Sequence, residues 1–129
     1  FSWSNMAQKR DMPGAKFNFI PRLEGAFFWT QAYEFQKAGA KMLYVAMFDE
    51  MDEGTAIFKC TNNPPVGESR FVTYEGLPSD HYLWLTGQAG RMLREEIPLR
   101  GEKPFRGTSP AGNSESPERK EAIAKPAVE

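Results

Sequence analysis

The sequence predicts an α/β fold in which two parallel strands alternate with two helices. The first observation behind this prediction is the run Met42–Phe48, in which every residue is apolar. Such a run is typical of a parallel strand that is covered on both faces. The second is the order of elements along the chain, which is strand end, long loop, helix, short turn, strand, long loop, helix. This βαβα order requires a right-handed crossover, and we expect two main parallel strands with one uncovered edge.

The first half of the unit comprises a strand end, a loop and a helix. Phe1–Asn5 is predicted to be the exposed end of a strand, and residues 6–24 lack any helical or strand period. A helix is predicted over Gly25–Ala38 because apolar residues recur at intervals of three and four, namely Phe28, Ala32 and Phe35. Gly39 follows at the position where helices often end in a left-handed conformation.

The second half repeats this arrangement. After the strand Met42–Phe48, residues 49–78 form a long irregular segment, within which Phe71–Tyr74 could be a short extra strand. Ser79 or Asp80 is expected to cap a second helix, and Pro98 to stop it. The predicted buried stripe of that helix consists of Tyr82, Leu85, Ala89, Met92 and Leu93. Both long loops follow strands, so they should lie on the face where α/β folds place their sites.

Composition sets the limits of the domain and excludes some function classes. Residues 1–98 are predicted to be the folded domain, and residues 99–129, rich in Pro, Gly, Ser and charge, a disordered tail. A start at Phe1 and only two predicted strands suggest a piece of a larger protein. The net charge of −1 gives no indication of nucleic-acid binding, and no run is long and apolar enough to span a membrane. A single cysteine, Cys60, excludes an internal disulfide, and we expect it to fill space in the core.

The strongest chemical signal is the acidic segment that follows the second strand. Four of its five residues are acids: Asp49, Glu50, Asp52 and Glu53. Glu50 and Glu53 are three apart, a spacing that places two side chains on one side of a helical turn or tight loop. Paired carboxylates of this kind perform glycoside hydrolysis, because mutual repulsion separates the pKa values of an acid and a base. A solvated acidic loop, helix caps and a metal site with oxygen ligands remain alternatives.

Other candidates are drawn from the loops. Trp3 and Tyr74 could stack against the apolar faces of sugar rings, whereas Phe28, Trp29 and Trp84 are expected in the core. Arg22 could orient a substrate hydroxyl or carboxylate, or could equally lie on the surface. His81, the only histidine, is expected to act as a cap or to lie at the surface. With one histidine and one cysteine, neither a His/Cys zinc cluster nor a Ser-His-Asp set is predicted.

The acidic segment also resembles a known signature. The run Glu50-Met51-Asp52-Glu53-Gly54-Thr55 is similar to the E-x-x-E-G-T signature of the endo-α-mannosidase family, glycoside hydrolase family 99. The stretches FSWSN, IPRLEGAFFWTQ, AGAKMLYVAMFDEMDEGTAIFK and TYEGLPSDHYLWLTGQAGRML resemble bacterial glycoside hydrolase family 71/99-like proteins. The resemblance covers about residues 1–97. It implies that the chain is the C-terminal part of a (β/α)8 barrel, with no cofactor.

The resemblance also implies roles for the two glutamates. Glu50 would act as a base on the substrate's own 2-hydroxyl, and Glu53 as the general acid and later the base at the glycosidic oxygen, with retention. The family commonly has Trp-His between its two glutamates, whereas this chain has Met51-Asp52. The expected substrate is an oligosaccharide or polysaccharide with α-linkages, of α-mannan or α-glucan type. The expected substrate contacts are Trp3, Asn5, Arg22, Asp49, Asp52, Thr55 and Tyr74.

The leading hypothesis is therefore a retaining glycoside hydrolase of which this chain is a part that is inactive alone. One alternative is a carbohydrate-binding barrel protein without catalytic activity, and another is a metal-assisted hydrolase that uses the acidic cluster. The resemblance implies a secreted or periplasmic protein, although no signal peptide is visible in this stretch.

Overall fold

The computed structural model describes residues 16–65, 67 and 70–107. Within these residues the regular elements are a 3₁₀ turn, Leu23–Gly25, and two helices, α1 (Ala26–Lys37) and α2 (His81–Leu93). The described part of the chain contains no strand. The prediction of a parallel α/β fold, and with it the C-terminal part of a (β/α)8 barrel, is therefore wrong.

The reason lies in the backbone pairing of the apolar run 42–48. No described segment pairs with this run to form a ladder, and a strand is defined by that pairing. Its side chains alternate between two environments rather than being covered on both faces. Leu43 and Val45 pack against the core, whereas Met42 and Tyr44 are more than four-fifths exposed. Residues 71–74, a possible extra strand, also lack strand pairing, and Phe1–Asn5 lies outside the described residues.

Helix α1 starts one residue after Gly25, whose φ of 89° lies in the left-handed region that favours glycine. It ends as predicted. The amide of Ala40 donates to the carbonyl of Phe35 and that of Gly39 to Gln36, at 3.0 and 2.9 Å, with Gly39 at φ 91°. This is the Schellman arrangement, and it satisfies carbonyls that the helix would leave unpaired.

The buried face of α1 differs from the predicted stripe. Trp29 and Ala32 are buried, Phe28 is partly buried, and Phe35 is 57% exposed. The helix is therefore rotated so that Trp29 points into the core, where its Nε1–H donates to the carbonyl of Arg100 at 3.2 Å.

Helix α2 buries most of the predicted stripe and one further residue, His81. Asp80 occupies the N-cap position, but its side chain makes no capping hydrogen bond. The helix also ends before Pro98, because a second Schellman arrangement closes it at Glu95, whose φ is 61°.

The two helices run side by side in the same direction. At one end, Gly25 approaches Leu85 so closely that an added Cβ would lie 2.5 Å from its Cδ2. At the other end, the Gln36 side-chain amide donates to the carbonyl of Met92 at 2.5 Å. The main core lies between them and consists of Trp29, Ala32, Leu85, Ala89 and Met92. A second cluster, formed by Ile57, Tyr74 and Tyr82, lies under the acidic segment.

The segment that follows α2 packs back onto both helices. Ile97 contacts the main core and Pro104 is buried. Lys103 Nζ donates to the carbonyl of Glu24 at 2.7 Å, and the Arg106 guanidinium binds the Asp80 carboxylate at 2.7 and 3.0 Å. Residues 99–107 of the predicted tail therefore make tertiary contacts, and residues 108–129 lie outside the described residues. The predicted domain boundary at Leu99 stays a prediction.

Candidate active site

The acidic segment forms a closed loop, which we call the acidic loop (Phe48–Phe58). At its base the carbonyl of Phe48 accepts the amides of Ile57 and Phe58, both at 3.0 Å. Further in, the carbonyl of Glu50 accepts the amides of Thr55 and Ala56, both at 3.1 Å. The turn itself is closed by the Gly54 amide, which donates to the Met51 carbonyl, and Gly54 adopts a φ of 68°. The backbone of the loop is thus held at both ends of the run of acids.

The carboxylate that affects the pKa of Glu50 most is that of Asp52. A side-chain hydrogen bond with Asp52, followed by the negative charge of Asp52, raises the pKa of Glu50 above its usual value. Glu53 and Asp49 raise this pKa further, but only through their charge. The loop therefore gathers its acids into one electrostatic group, in which the hydrogen-bonded neighbour of Glu50 is Asp52 and not the i+3 residue Glu53.

Thr55, which completes the predicted signature, is directed toward the backbone of the loop. Its Oγ1 donates to the Glu50 carbonyl at 3.4 Å, alongside its own amide. Asp49 is exposed, and its carbonyl accepts the Met51 amide at 2.8 Å. Trp3 and Asn5, two further predicted contacts, lie outside the described residues.

Arg22 and Tyr74 support the loop from below. The Arg22 Nη2 donates to the Ala56 carbonyl at 2.6 Å, while its guanidinium lies 3.5 Å from the centre of the Tyr82 ring. The hydroxyl of Tyr74, a residue that is 2% exposed, also contacts the Ala56 carbonyl, at 3.0 Å, and the Phe58 carbonyl. Burial raises the pKa of Tyr74 above its usual value. Both residues were predicted as substrate contacts, and in this structure their polar atoms face the backbone of the acidic loop.

A cavity of about 230 Å³, which we call the loop cavity, opens beside the acidic loop. Met51 and Gly54 contribute to its wall from the loop, and Arg22, Cys60 and Tyr74 from beneath it. A smaller cavity of about 80 Å³ lies on another side of Gly54, lined in part by Phe27, Phe28 and Thr55. Neither Glu50 nor Glu53 belongs to the wall of either cavity.

His81 is the polar residue whose environment the sequence did not predict. It is 3% exposed, and its Nε2 lies 3.3 Å from the Glu24 carbonyl, which can only accept, so this nitrogen carries the proton. The other ring nitrogen, Nδ1, is buried and has no hydrogen-bond partner among the residues that the structure describes. Burial lowers the pKa of His81, while the contact with Glu24 opposes this shift. The signal was present in the spacing, because His81 precedes Leu85 and Ala89 by four and eight residues and so shares their face.

Two further findings concern metals and membranes. Among residues 16–65, 67 and 70–107, no group of three or more His, Cys, Asp or Glu side chains is arranged to hold a metal ion. Neither α1 nor α2 has the length and apolar character that a membrane-spanning helix requires.

Comparison with known proteins adds no identification. No family model matches the chain, and no match was found among curated proteins or among solved structures.

Proposed function

We propose that the acidic loop supplies the carboxylates of a retaining glycoside hydrolase acting on an α-linked glycan. The observation that carries the proposal is the gathering of Glu50, Asp52 and Glu53 on one backbone-closed loop, with the pKa of Glu50 raised by its neighbours. Acid–base chemistry at a glycosidic bond needs two carboxyl groups in different protonation states. Like charges held close to a carboxylate raise its affinity for a proton, which is the property that a general base requires.

In the proposed mechanism the two glutamates act at neighbouring atoms of the substrate. Glu53 donates a proton to the glycosidic oxygen as the bond from that oxygen to the anomeric carbon breaks. Glu50 accepts the proton of the 2-hydroxyl, whose oxygen forms a bond to the anomeric carbon, and water then opens this ring with Glu53 as the base. A raised pKa makes the Glu50 carboxylate a stronger base, because its affinity for the incoming proton is greater. Asp52, which shares a hydrogen bond with Glu50, sets this affinity and is thus proposed to be a positioning residue.

The resemblance of the run 50–55 to the signature of the endo-α-mannosidase family supports the choice of substrate class. On this proposal the partner is an oligosaccharide or polysaccharide of α-mannan or α-glucan type. Arg22 and Tyr74 are proposed to act on catalysis through the shape of the loop, since their polar atoms contact the Ala56 carbonyl.

The test is hydrolysis of a panel of α-mannan and α-glucan oligosaccharides by the full-length protein that contains this chain. Glu53→Gln and Glu50→Gln should each lower kcat by about 10²–10⁴-fold, the usual contribution of a positioned acid or base. Glu34→Gln is the matched control, because Glu34 is an exposed glutamate of α1 that pairs with Lys37 on the same helix. Full activity in Glu53→Gln would refute the assignment.

One observation favours a second candidate, a carbohydrate-binding protein without catalytic activity. Neither Glu50 nor Glu53 contributes to the wall of either cavity beside the acidic loop, so neither cavity places a ligand against the proposed catalytic pair. This candidate predicts that calorimetric binding of the same oligosaccharides is unchanged in the Glu50→Gln/Glu53→Gln double variant. The hydrolase proposal predicts binding without turnover in that variant and turnover in the unmodified protein.

A further inference from the structure

The loop cavity has a wall that is chemically unlike a sugar-binding surface. Most of the wall is formed by C–H groups, rings and a thioether, contributed by Met51, Pro64, Pro65, Phe71, Val72 and Tyr74. Its volume of about 230 Å³ lies below that of sites for drug-sized ligands, so the space suits a single ring.

Three polar groups of the wall are already engaged within the protein. The Tyr74 hydroxyl contacts the carbonyls of Ala56 and Phe58, and Arg22 donates to the same Ala56 carbonyl. Thr61 Oγ1 accepts the amide of Asn63 at 3.0 Å. A ring rich in hydroxyls would lose hydrogen bonds to water on entering and gain few in return. The cavity therefore favours an apolar ring over a sugar ring.

The charges, rings and sulfur atoms of the wall indicate which chemical class of ligand fits the cavity. The cations Arg22 and Lys59 at the wall are opposed by the acids of the neighbouring loop, so no field of a single sign selects an ion. The rings of Phe71 and Tyr74 and the sulfur atoms of Met51 and Cys60 are groups that make favourable contacts with aromatic rings.

We infer that the loop cavity binds an uncharged aromatic ring. The identity of the ring rests on the proposed function: the ring is the aglycone of the glycoside whose glycosidic oxygen Glu53 protonates. Met51 lies between the two glutamates in the sequence and also lines the cavity. A substrate whose glycosidic bond is held at the carboxylates would therefore have its aglycone next to the cavity.

The first experiment measures binding without catalysis. Cys60 is the only cysteine of the chain and lines the cavity, so its alkylation by iodoacetamide, followed by peptide mass spectrometry, reports occupancy. Increasing concentrations of phenol should lower the rate of alkylation along a saturation curve, because a bound ring blocks access to the thiol. Methyl α-D-mannoside should leave the rate unchanged. An unchanged rate with phenol would overturn the inference. Should Cys60 not react in the free protein, the ¹³C-methyl resonance of Met51 serves instead: a shift with phenol supports the inference and no shift overturns it.

A variant that fills the cavity checks the location. Val72→Trp places an indole in the cavity and should abolish the effect of phenol, provided that circular dichroism shows a folded protein. Phe105→Trp is the matched control, because Phe105 is 86% exposed and does not belong to the wall. Equal phenol effects in both folded variants would overturn the inference.

The last experiment separates the inference from the proposed function. For the full-length protein, KM for phenyl α-D-mannoside should be about two- to tenfold below that for methyl α-D-mannoside, and Val72→Trp should remove the difference. Phenol binding with no hydrolysis of any glycoside would support the cavity and refute the proposed function. Hydrolysis with identical KM values and no phenol binding would support the proposed function and refute the cavity.

Discussion

Substitution of Tyr74 by phenylalanine tests whether one hydroxyl holds the base of the acidic loop. The change keeps the ring, whose edge-on contact with Tyr82 has a centre-to-centre distance of 4.8 Å, and removes only the oxygen. That oxygen contacts two carbonyls, those of Ala56 and Phe58. The Ala56 carbonyl retains the Arg22 donor at 2.6 Å after the substitution, whereas the Phe58 carbonyl loses the hydroxyl.

The magnitude follows from this count of donors. An acceptor deprived of its donor in a buried setting costs about 1–3 kcal/mol, and the retained Arg22 contact limits the loss to one acceptor. We therefore expect Tyr74→Phe to lower the free energy of unfolding by about 1–3 kcal/mol. For a domain of this size, each kcal/mol corresponds to a fall in Tm of about 4–8 °C.

The assay is urea unfolding followed by circular dichroism, with Tyr44→Phe as the matched control. Tyr44 is 84% exposed, so loss of its hydroxyl should change the free energy of unfolding by no more than about 0.5 kcal/mol. Equal stabilities of the two variants would refute the idea that the Tyr74 hydroxyl supports the loop.

Three further predictions concern the helix packing, the buried histidine and the acidic loop. Gly25→Ala should lower the free energy of unfolding by about 2–4 kcal/mol, because its Cβ would lie 2.5 Å from Leu85 Cδ2 at a φ of 89°. The control Gly39→Ala, at a φ of 91° but with no described atom within 4 Å of the added Cβ, should lower it by only about 1–2 kcal/mol. Equal losses in the two variants would contradict the packing argument. Because burial lowers the pKa of His81, the folded state binds a proton at this imidazole at lower pH than the unfolded state does. The urea midpoint should therefore be constant above about pH 6.5 and should fall below that pH. In His81→Gln this fall should be missing at the pH values that lie above the range where carboxylates titrate. Lys103 and Arg106 add to this lowering, and Asp80 and the Glu24 carbonyl oppose it. Asp52→Asn should lower the pKa of Glu50, measured by NMR titration of its side-chain carboxyl carbon, because Asp52 is the largest cause of the raised value; an unchanged pKa would show that the two side chains are not paired.

The helices were the part of the fold that local sequence could predict. Apolar residues at helical spacing located α1 and α2, and Gly39 predicted the end of α1 correctly, since only glycine adopts its backbone conformation at low cost. The sequence did not predict which of two adjacent residues of α1, Phe28 or Trp29, would be the more deeply buried. Phe28 and Trp29 are adjacent and both apolar, and only the approach of α2 and of the Arg100 carbonyl makes Trp29 the buried one.

The strand prediction failed because apolar composition does not provide a pairing partner. Met42–Phe48 has the residues of a buried strand, but a strand exists only where a second segment forms a ladder of hydrogen bonds with it, and the described residues form no such ladder. The exposure of Met42 and Tyr44 in this structure is the consequence.

The acidic residues of the site were evident from sequence, while their mutual arrangement was not. Spacing suggested Glu50 and Glu53 as neighbours, and both Asp52 and Glu53 raise the pKa of Glu50, Asp52 through a side-chain hydrogen bond and its charge and Glu53 through its charge. Arg22 and Tyr74 are distant in sequence from the loop that they support, so no local pattern could indicate their contact with Ala56.

By itself, then, the sequence determined where helices form and which segment carries the acids, because helix periodicity and turn-forming residues act over a few neighbouring positions. Tertiary structure alone decided two features: the absence of a sheet among the described residues, and the placement of Arg22 and Tyr74 beneath the acidic loop. Each depends on contacts between segments far apart in the chain, whose energies are set by packing and desolvation rather than by local preference.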